Sequence, residues 1–335
     1  MKAKLKPPPR FQLAMAPTPL EAFSITPNPD SGIEIFIKRD DLTGSELSGN
    51  KIRKLEFILY EAVSKKSDIL LTCGGVGSNH CRAVAAMAAR IGIDCELILM
   101  GKPPAIPDGN LLIGNLFRSK TRFISTAEYE KNIDAILARR ANALKKRGRK
   151  PYIIPEGASN SLGLWGYFLA GIELKKQLDK AGIKANYLAC AVGSGGTYGG
   201  LLLASIYLKW PVKILGFAVN RNADYFRKKI ASLVDEFISI NNLKFKRKQS
   251  DIIIDDNYIG PGYAKISNKE AAFIRNVARD SGIILDPAYT AKGMIGLFDY
   301  IKKGKIEPNS NVVFIHTGGL LSIFPYRKKL IDKSY

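Results

Sequence analysis

The sequence predicts an α/β protein built on open, mostly parallel twisted sheets with helices on both faces. Three observations lead there. Short apolar or β-branched runs alternate with longer stretches of helical spacing along most of the chain, the pattern of successive βαβ units. Glycine-rich turns repeatedly close a short run and open a helical one. The 335 residues are 46% apolar and 24% charged, which suits about two globular domains and lets roughly three quarters of the unfolded surface be buried.

Taken in order, residues 33–39 (IEIFIKR) read as a strand, and residues 50–63 as a helix with Leu55, Ile58, Leu59 and Ala62 on one face. Residues 68–72 are a strand, 79–91 a helix capped by Ser78 or Asn79, and 96–100 a strand. A proline-rich loop, 102–108, leads to helix 110–117, strand 121–124 and a long basic helix, 126–146. Strand 152–154 and helix 161–178 follow, then strand 187–192, helix 197–208 and strand 212–219. Helices at 224–240 and 268–280 bracket an irregular section, and helix 291–301 and strand 311–316 complete the alternation.

Composition excludes several classes. No run approaches the roughly 18 consecutive apolar residues of a membrane span. The basic, proline-rich residues 1–10 are not followed by the apolar core of a signal peptide. Four cysteines fit buried thiols in a reducing compartment, so the chain is expected in the cytoplasm. The 51 basic and 30 acidic side chains leave a net charge of +21, concentrated in residues 138–150 and 244–248. Neither cluster carries the interleaved aromatics and glycines of an RNA-binding signature, so both read as solvated surface. Two histidines and the absence of a Cys-x-x-Cys pair leave no zinc site, and there is no Gly-x-Ser-x-Gly elbow.

Four segments can carry chemistry. In Gly49-Asn50-Lys51-Ile52-Arg53-Lys54, Lys51 stands where a small-residue loop becomes a helix. An unprotonated lysine condenses with aldehydes, and Arg53 and Lys54 would lower its pKa by repulsion; taken alone, with 51 basic residues in the chain, Lys51 reads as an ordinary surface lysine. In Cys73-Gly74-Gly75-Val76-Gly77-Ser78-Asn79-His80, a strand ends in glycines and a helix start offers free N–H groups to an anion. Plain capping by Ser78 or Asn79 stays open beside that reading. Gly193-Ser194-Gly195-Gly196-Thr197 directly follows a strand. It matches neither the dinucleotide fingerprint nor the Walker A loop, and fits a phosphate cradle for another ligand or a tight turn. Finally, Gly260-Pro261-Gly262-Tyr263, Asp286-Pro287-Ala288-Tyr289-Thr290 and His316-Thr317-Gly318-Gly319 each set a polar side chain beside glycine or proline.

Together these segments resemble one family. The run Ile37-Lys38-Arg39-Asp40-Asp41-Leu42-Thr43-Gly44, then Gly49 to Glu56, then Ser78-Asn79-His80 and the later motifs in order, is similar to the D-cysteine desulfhydrase and 1-aminocyclopropane-1-carboxylate (ACC) deaminase family. The similarity runs over about residues 10–326. These are pyridoxal 5′-phosphate (PLP) enzymes of fold type II, the tryptophan-synthase-β-like fold. The resemblance implies a large PLP-binding domain of residues 1–54 and 166–335, a smaller inserted α/β domain of residues 55–165, PLP between them, and a homodimer. It implies that Lys51 holds PLP and moves the α-proton, and that Asn79 bonds the ring hydroxyl oxygen. Lys54 with Gly193, Ser194, Gly195, Gly196 and Thr197 would hold the phosphate. Ser78, Asn79 and His80 would meet the substrate carboxylate, Tyr263 and Tyr289 would stand over the substrate, and Thr317 would face the pyridine nitrogen.

Three positions depart from the family pattern. ACC deaminases place a glutamate after the tyrosine corresponding to Tyr289; here it is Thr290. A hydroxyl there leaves the ring nitrogen unprotonated and the electron sink weaker, which suits β-elimination better than opening a cyclopropane. Ser281 replaces a usual glutamate, and Gly77 replaces a common glutamine, leaving more room. The resemblance therefore implies a lyase acting on a small amino acid, first D-cysteine, giving pyruvate, ammonia and sulfide. The alternatives are ACC deamination or elimination from another β-substituted amino acid. A basic binding or scaffolding protein on a retained enzyme fold is the reading from a different class; the intact set of Lys51, glycine loop and both tyrosines speaks against it.

Overall fold

The protein is described by a computed structural model of residues 5–44 and 48–331. Met1 to Lys4, the first part of the basic N-terminal stretch, lie outside the described residues. The elements are β1 (Leu20–Phe23), β2 (Glu34–Lys38), α1 (Lys51–Ser64), β3 (Ile69–Gly75), α2 (Asn79–Arg90), β4 (Asp94–Met100), α3 (Gly109–Leu116), β5 (Lys120–Ile124), α4 (Thr126–Lys145) and β6 (Pro151–Ile153). Then come α5 (Ser161–Lys180), β7 (Ala185–Val192), α6 (Gly196–Tyr207), β8 (Lys213–Ala218), α7 (Ala223–Ile240), β9 (Ile253–Asp255), α8 (Asn268–Ser281), α9 (Thr290–Lys302), β10 (Asn311–Ile315) and α10 (Arg327–Leu330).

Two sheets result. One has the order β1-β2-β10-β7-β8-β9, the other β5-β4-β3-β6. Every pairing is parallel except β1 with β2. Parallel sheets need cover on both faces, and alternation along the strands supplies it. In β7 and β10, Leu188, Cys190, Val192, Val313 and Ile315 pack with α5, α6 and α7. Tyr187, Ala189, Val312 and Phe314 point the other way, onto α8 and α9. In the smaller sheet, Leu70, Leu97 and Leu99 pack with α1 and α2, while Leu71, Cys73 and Ile98 pack with α4. Among the described residues, no helix is long and apolar enough to cross a membrane.

The differences from the sequence reading have local causes. β1 is four residues among prolines and pairs antiparallel at an edge, and β9 is three residues at the opposite edge. Neither is long enough to show a period. β3 continues through Gly74 and Gly75, which read as loop; both stay in the ladder opposite Leu99 and Met100. A Cβ at Gly74 would stand 2.6 Å from the Ser78 hydroxyl, so the turn into α2 is too tight for any other residue.

A buried ion cluster fixes the first turn of α1. Arg53 donates two hydrogen bonds of 2.9 Å to the Asp40 carboxylate, and others of 2.9 and 3.0 Å to Glu173 on α5. Lys38, at the end of β2, also bonds Glu173, and Tyr167 donates to Asp40 at 2.6 Å. Asp40 is fully buried; Arg53 and its neighbours hold its carboxyl below the usual range although burial alone would raise it. Removing one partner from such a cluster strands the others' charges. Asp40→Ala is expected to cost about 3–5 kcal/mol of stability, read from urea denaturation. A loss below about 1 kcal/mol, the value of an exposed pair, would show that the cluster does not hold α1 in place.

Candidate functional site

Because the strands are parallel, their C-terminal ends share a side, and the loops leaving them enclose a cleft between the two sheets. Gly74, Ser78, Asn79, His80, Glu156 and Gly157 line it from the smaller sheet. Residues 191–195, Thr197, Asn220, Tyr263, Tyr289, Thr317 and Gly318 line it from the larger one, with Asn50 and Lys51 at the start of α1.

Lys51 is the first residue of α1. Its ammonium donates to the Asn50 side-chain oxygen at 3.0 Å and lies 5.8 Å from the centre of the Tyr289 ring. Burial lowers its pKa to about 8; Asp286 and Glu156 oppose the shift and Arg82 adds to it. The sequence reading credited Arg53 and Lys54 with that shift. Arg53 instead points away, into the ion cluster behind the helix. The start of α1 is tied to the C-terminal motif: Asn50 N–H donates to the Thr317 carbonyl at 3.0 Å. Gly49, at φ +99°, passes so close that a Cβ would sit 2.8 Å from that same oxygen.

Lys54, one turn on, has no exposed surface. Among the described residues its amine donates only to neutral oxygens, the Gly157 carbonyl at 3.2 Å and the Ser159 hydroxyl at 3.3 Å. Burial, then Lys51 and Lys229, push its pKa well down. Facing it is the start of α6, where Gly195 adopts φ +87°. A Cβ on Gly196 would fall 2.8 Å from the Lys54 nitrogen and 2.5 Å from the Ser159 hydroxyl. Ser194 and Ser159 share a 2.8 Å hydrogen bond, and Thr197 accepts one of 2.9 Å from Asn50. Glycine here lets the start of α6 approach Lys54 and Ser159 closely, while Ser194, Thr197 and the helix N-terminus face the cleft with the Lys54 amine directly behind them, a donor set suited to a phosphate.

At the other wall, Ser78 is the N-cap of α2, its hydroxyl accepting from Cys81 N–H at 3.2 Å, and it also lines the cleft. Asn79 accepts from Asn110 at 2.9 Å. Thr72 spends its hydroxyl proton on the Ile154 carbonyl, so the 2.8 Å contact with His80 is made by His80 Nε2–H donating to Thr72. That leaves His80 Nδ1 a buried acceptor without a partner among the described residues. Burial keeps the ring neutral, so its imidazole has no spare N–H for a carboxylate; the free backbone N–H groups of the first turn of α2 do.

Tyr263 and Tyr289 meet hydroxyl to hydroxyl at 2.7 Å, their ring centres 5.9 Å apart. Burial raises the pKa of both, so both are neutral proton donors. Thr317 lines the cleft, and its hydroxyl makes no hydrogen bond among the described residues. Thr290 does not join it, a correction to the sequence reading. It is fully buried and its hydroxyl donates to the Asp286 carboxylate at 2.8 Å while accepting from Asp286 N–H at 2.7 Å. Ser281 lies at the end of α8, where its hydroxyl accepts from Ile283 N–H, outside the cleft lining. Glu156, which receives a 2.8 Å hydrogen bond from Tyr129, lines the cleft and was not singled out in the sequence. Its only signal there was a carboxylate in a short turn between a strand and a helix.

Lys51's desolvation is directly measurable. In the cofactor-free protein, acylation of Lys51 by acetic anhydride, followed by peptide mass spectrometry, should rise about tenfold per pH unit and level off near pH 8. A profile that climbs to the ordinary lysine range of about 10.4 contradicts the desolvated setting.

A family model described as pyridoxal-phosphate dependent enzyme matches residues 11–318. The chain is 40% identical over 323 residues to a bifunctional D-cysteine desulfhydrase/1-aminocyclopropane-1-carboxylate deaminase, mitochondrial, of Arabidopsis thaliana, covering 94% of this chain and 79% of that one. It is 35% identical over 328 residues to a D-cysteine desulfhydrase of Klebsiella pneumoniae, covering 96% and 97%. A solved ACC deaminase homologue superposes with a TM-score of 0.87 at 36% identity, covering 96% of this chain and 95% of that one. With its buried lysine, its glycine loop and a family match over nearly its whole length, the chain belongs to the pyridoxal-phosphate-dependent enzymes.

Proposed function

We propose that the protein is a PLP-dependent carbon–sulfur lyase that converts D-cysteine to pyruvate, ammonia and sulfide. The observation that carries the reading is Lys51, an amine held near pH 8 in its titration beside a pair of neutral tyrosine hydroxyls. The residues present fit PLP: among the described residues Lys54 is a buried amine with only neutral hydrogen-bond partners, and Gly196 at the start of α6 packs so closely on it that a Cβ would collide. We assign Lys54, residues 193–196 and Thr197 to the phosphate, Asn79 to the ring hydroxyl oxygen, and Thr317 to the ring nitrogen. When bound, PLP supplies the electron sink for loss of the α-proton.

The chain's own residues do the rest. The first-turn N–H groups of α2, with Ser78 and Asn79, hold the substrate carboxylate. Lys51 removes the α-proton, as an amine with a pKa near working pH can. The Tyr263–Tyr289 pair passes a proton to the sulfur as the Cβ–S bond breaks, and the released enamine hydrolyses in water. A large cofactor-binding unit of residues 1–54 and 166–335 with a smaller inserted unit, 55–165, is part of the same reading. The family resemblance supports a homodimer. Four buried, unpaired cysteines support a reducing compartment such as the cytoplasm.

ACC deamination is the second reading, favoured by the relative that carries both names. The preference for D-cysteine rests on chemistry at the ring nitrogen: position 290 offers no carboxylate, its hydroxyl is consumed by Asp286, and only the Thr317 hydroxyl is assigned there. The expected result is sulfide and pyruvate from D-cysteine with little 2-oxobutyrate from ACC; faster turnover of ACC would contradict it. Lys51→Ala should abolish turnover with the fold intact, and comparable activity in that variant would remove Lys51 from the reaction. Thr197→Ala should raise the Kd for PLP by about tenfold or more, the loss of a hydrogen bond to a charged group, with kcat at saturating cofactor much less affected. An unchanged cofactor titration would mean that the phosphate is held elsewhere.

A further inference from the structure

Two buried side chains outside the cleft lining, Arg82 and Asn110, support Asn79. Arg82 lies three residues after Asn79 on α2, on the same helix face, and Asn110 is the second residue of α3. Arg82 Nε donates to Asn110 Oδ1 at 2.8 Å. Asn110 Nδ2 donates to the Gly77 carbonyl and to Asn79 Oδ1, both at 2.9 Å. Arg82 also donates to the carbonyl of Ser48 at 2.8 Å, on the segment that leads into Lys51.

The chemistry of these groups leaves one arrangement. A guanidinium only donates, so the oxygen of the Asn110 amide must face Arg82. A backbone carbonyl only accepts, so the amide nitrogen must face Gly77. That same nitrogen reaches Asn79, which is compelled to accept with its oxygen and to turn its own NH2 elsewhere. The Asn79 nitrogen makes no hydrogen bond among the described residues, and a Cβ on Gly319, two residues past Thr317, would fall 3.1 Å from it. An unsupported amide could turn over, because its two ends have nearly the same shape. The partners of Asn110 remove that freedom.

In PLP the ring hydroxyl and the aldehyde stand on neighbouring carbons. The group that meets the oxygen must therefore stand beside the amine that meets the aldehyde. Arg82 serves both sides: through Asn110 it sets Asn79, and through the Ser48 carbonyl it holds the segment entering Lys51. A donor at the ring oxygen favours its ionised form, whereas an amide oxygen turned toward it would oppose that form.

We propose that Asn110, held by Arg82, is a positioning residue that makes Asn79 an obligatory hydrogen-bond donor to the ring oxygen of PLP. The inference rests on the assignment of Asn79 to that oxygen made above.

The test is equilibrium dialysis of the full chain, stripped of cofactor, against PLP and against its 3-deoxy analogue, which lacks the ring oxygen. Asn110→Asp keeps the shape and still accepts from Arg82, but a carboxylate cannot donate. Asn79 then gives its NH2 to the carboxylate and turns its oxygen to the cofactor. The Kd for PLP should rise about tenfold or more, the loss of a hydrogen bond to a charged group, while that for the 3-deoxy analogue should change by less than about threefold. Unchanged binding of the analogue also shows that the variant is folded. Asn110→Ala frees Asn79 to turn without compelling it, and should give a smaller rise with PLP alone; it decides the question if the aspartate variant does not fold. An equal rise for both cofactors, or no rise with PLP, overturns the proposal. Asn79→Ala tests the assignment beneath it: PLP should weaken by about tenfold and the analogue be spared. Equal effects of Asn79→Ala on both cofactors would overturn that assignment and the proposal with it. Discrimination by Asn79→Ala without discrimination by the Asn110 variants would overturn the positioning role alone.

Discussion

The desolvation of two amines on one turn of α1 is the constraint around which the cleft is arranged. Lys51 and Lys54 are three residues apart and so share a helix face. Burying an ammonium is costly unless an anion accompanies it, yet among the described residues Lys54 bonds only a carbonyl and a hydroxyl. The arrangement makes sense if an anionic group completes it, and the helix start that faces the cleft beside it, with Ser194 and Thr197, offers donors for one. Lys51 uses the same desolvation differently. Its pKa falls only to about 8 because Asp286 and Glu156 partly compensate. The amine therefore exchanges protons near neutrality.

Arg53 lies between these lysines in sequence but serves the opposite face. Its guanidinium bridges Asp40 and Glu173, and through Lys38 and Tyr167 it joins the end of β2 to α5. Helix start, the end of β2 and supporting helix are thereby held in one register. Asn50 extends the fixation toward the site: its N–H holds Thr317 and its side chain reaches Thr197. A shift of α1 would move the amine, the phosphate loop and the C-terminal motif together.

The alternation of strand and helix was legible in the sequence because buried parallel strands are short, apolar and bounded by glycine. β1 and β9 were not legible, since edge strands of three or four residues show no period. For the site, Lys51, Ser78, Asn79, His80, the glycine loop, Tyr263, Tyr289 and Thr317 all line the cleft or its floor, and Lys54 lies directly behind it. What sequence order could not convey was direction. Arg53 looked like a neighbour of Lys51 and points away; Thr290 follows a cleft residue but turns its hydroxyl onto Asp286. Glu156 carries no motif of its own, and only the meeting of the two sheets brings it to the cleft.

The central claim is that Lys51 is the amine that holds the cofactor while Lys54 serves its phosphate. Borohydride reduction of the PLP-loaded protein, followed by proteolysis and mass spectrometry, fixes the cofactor to whichever amine holds it. The account predicts the pyridoxyl group on Lys51 alone. Modification of Lys54, or of a lysine outside the cleft with Lys51 untouched, would contradict it.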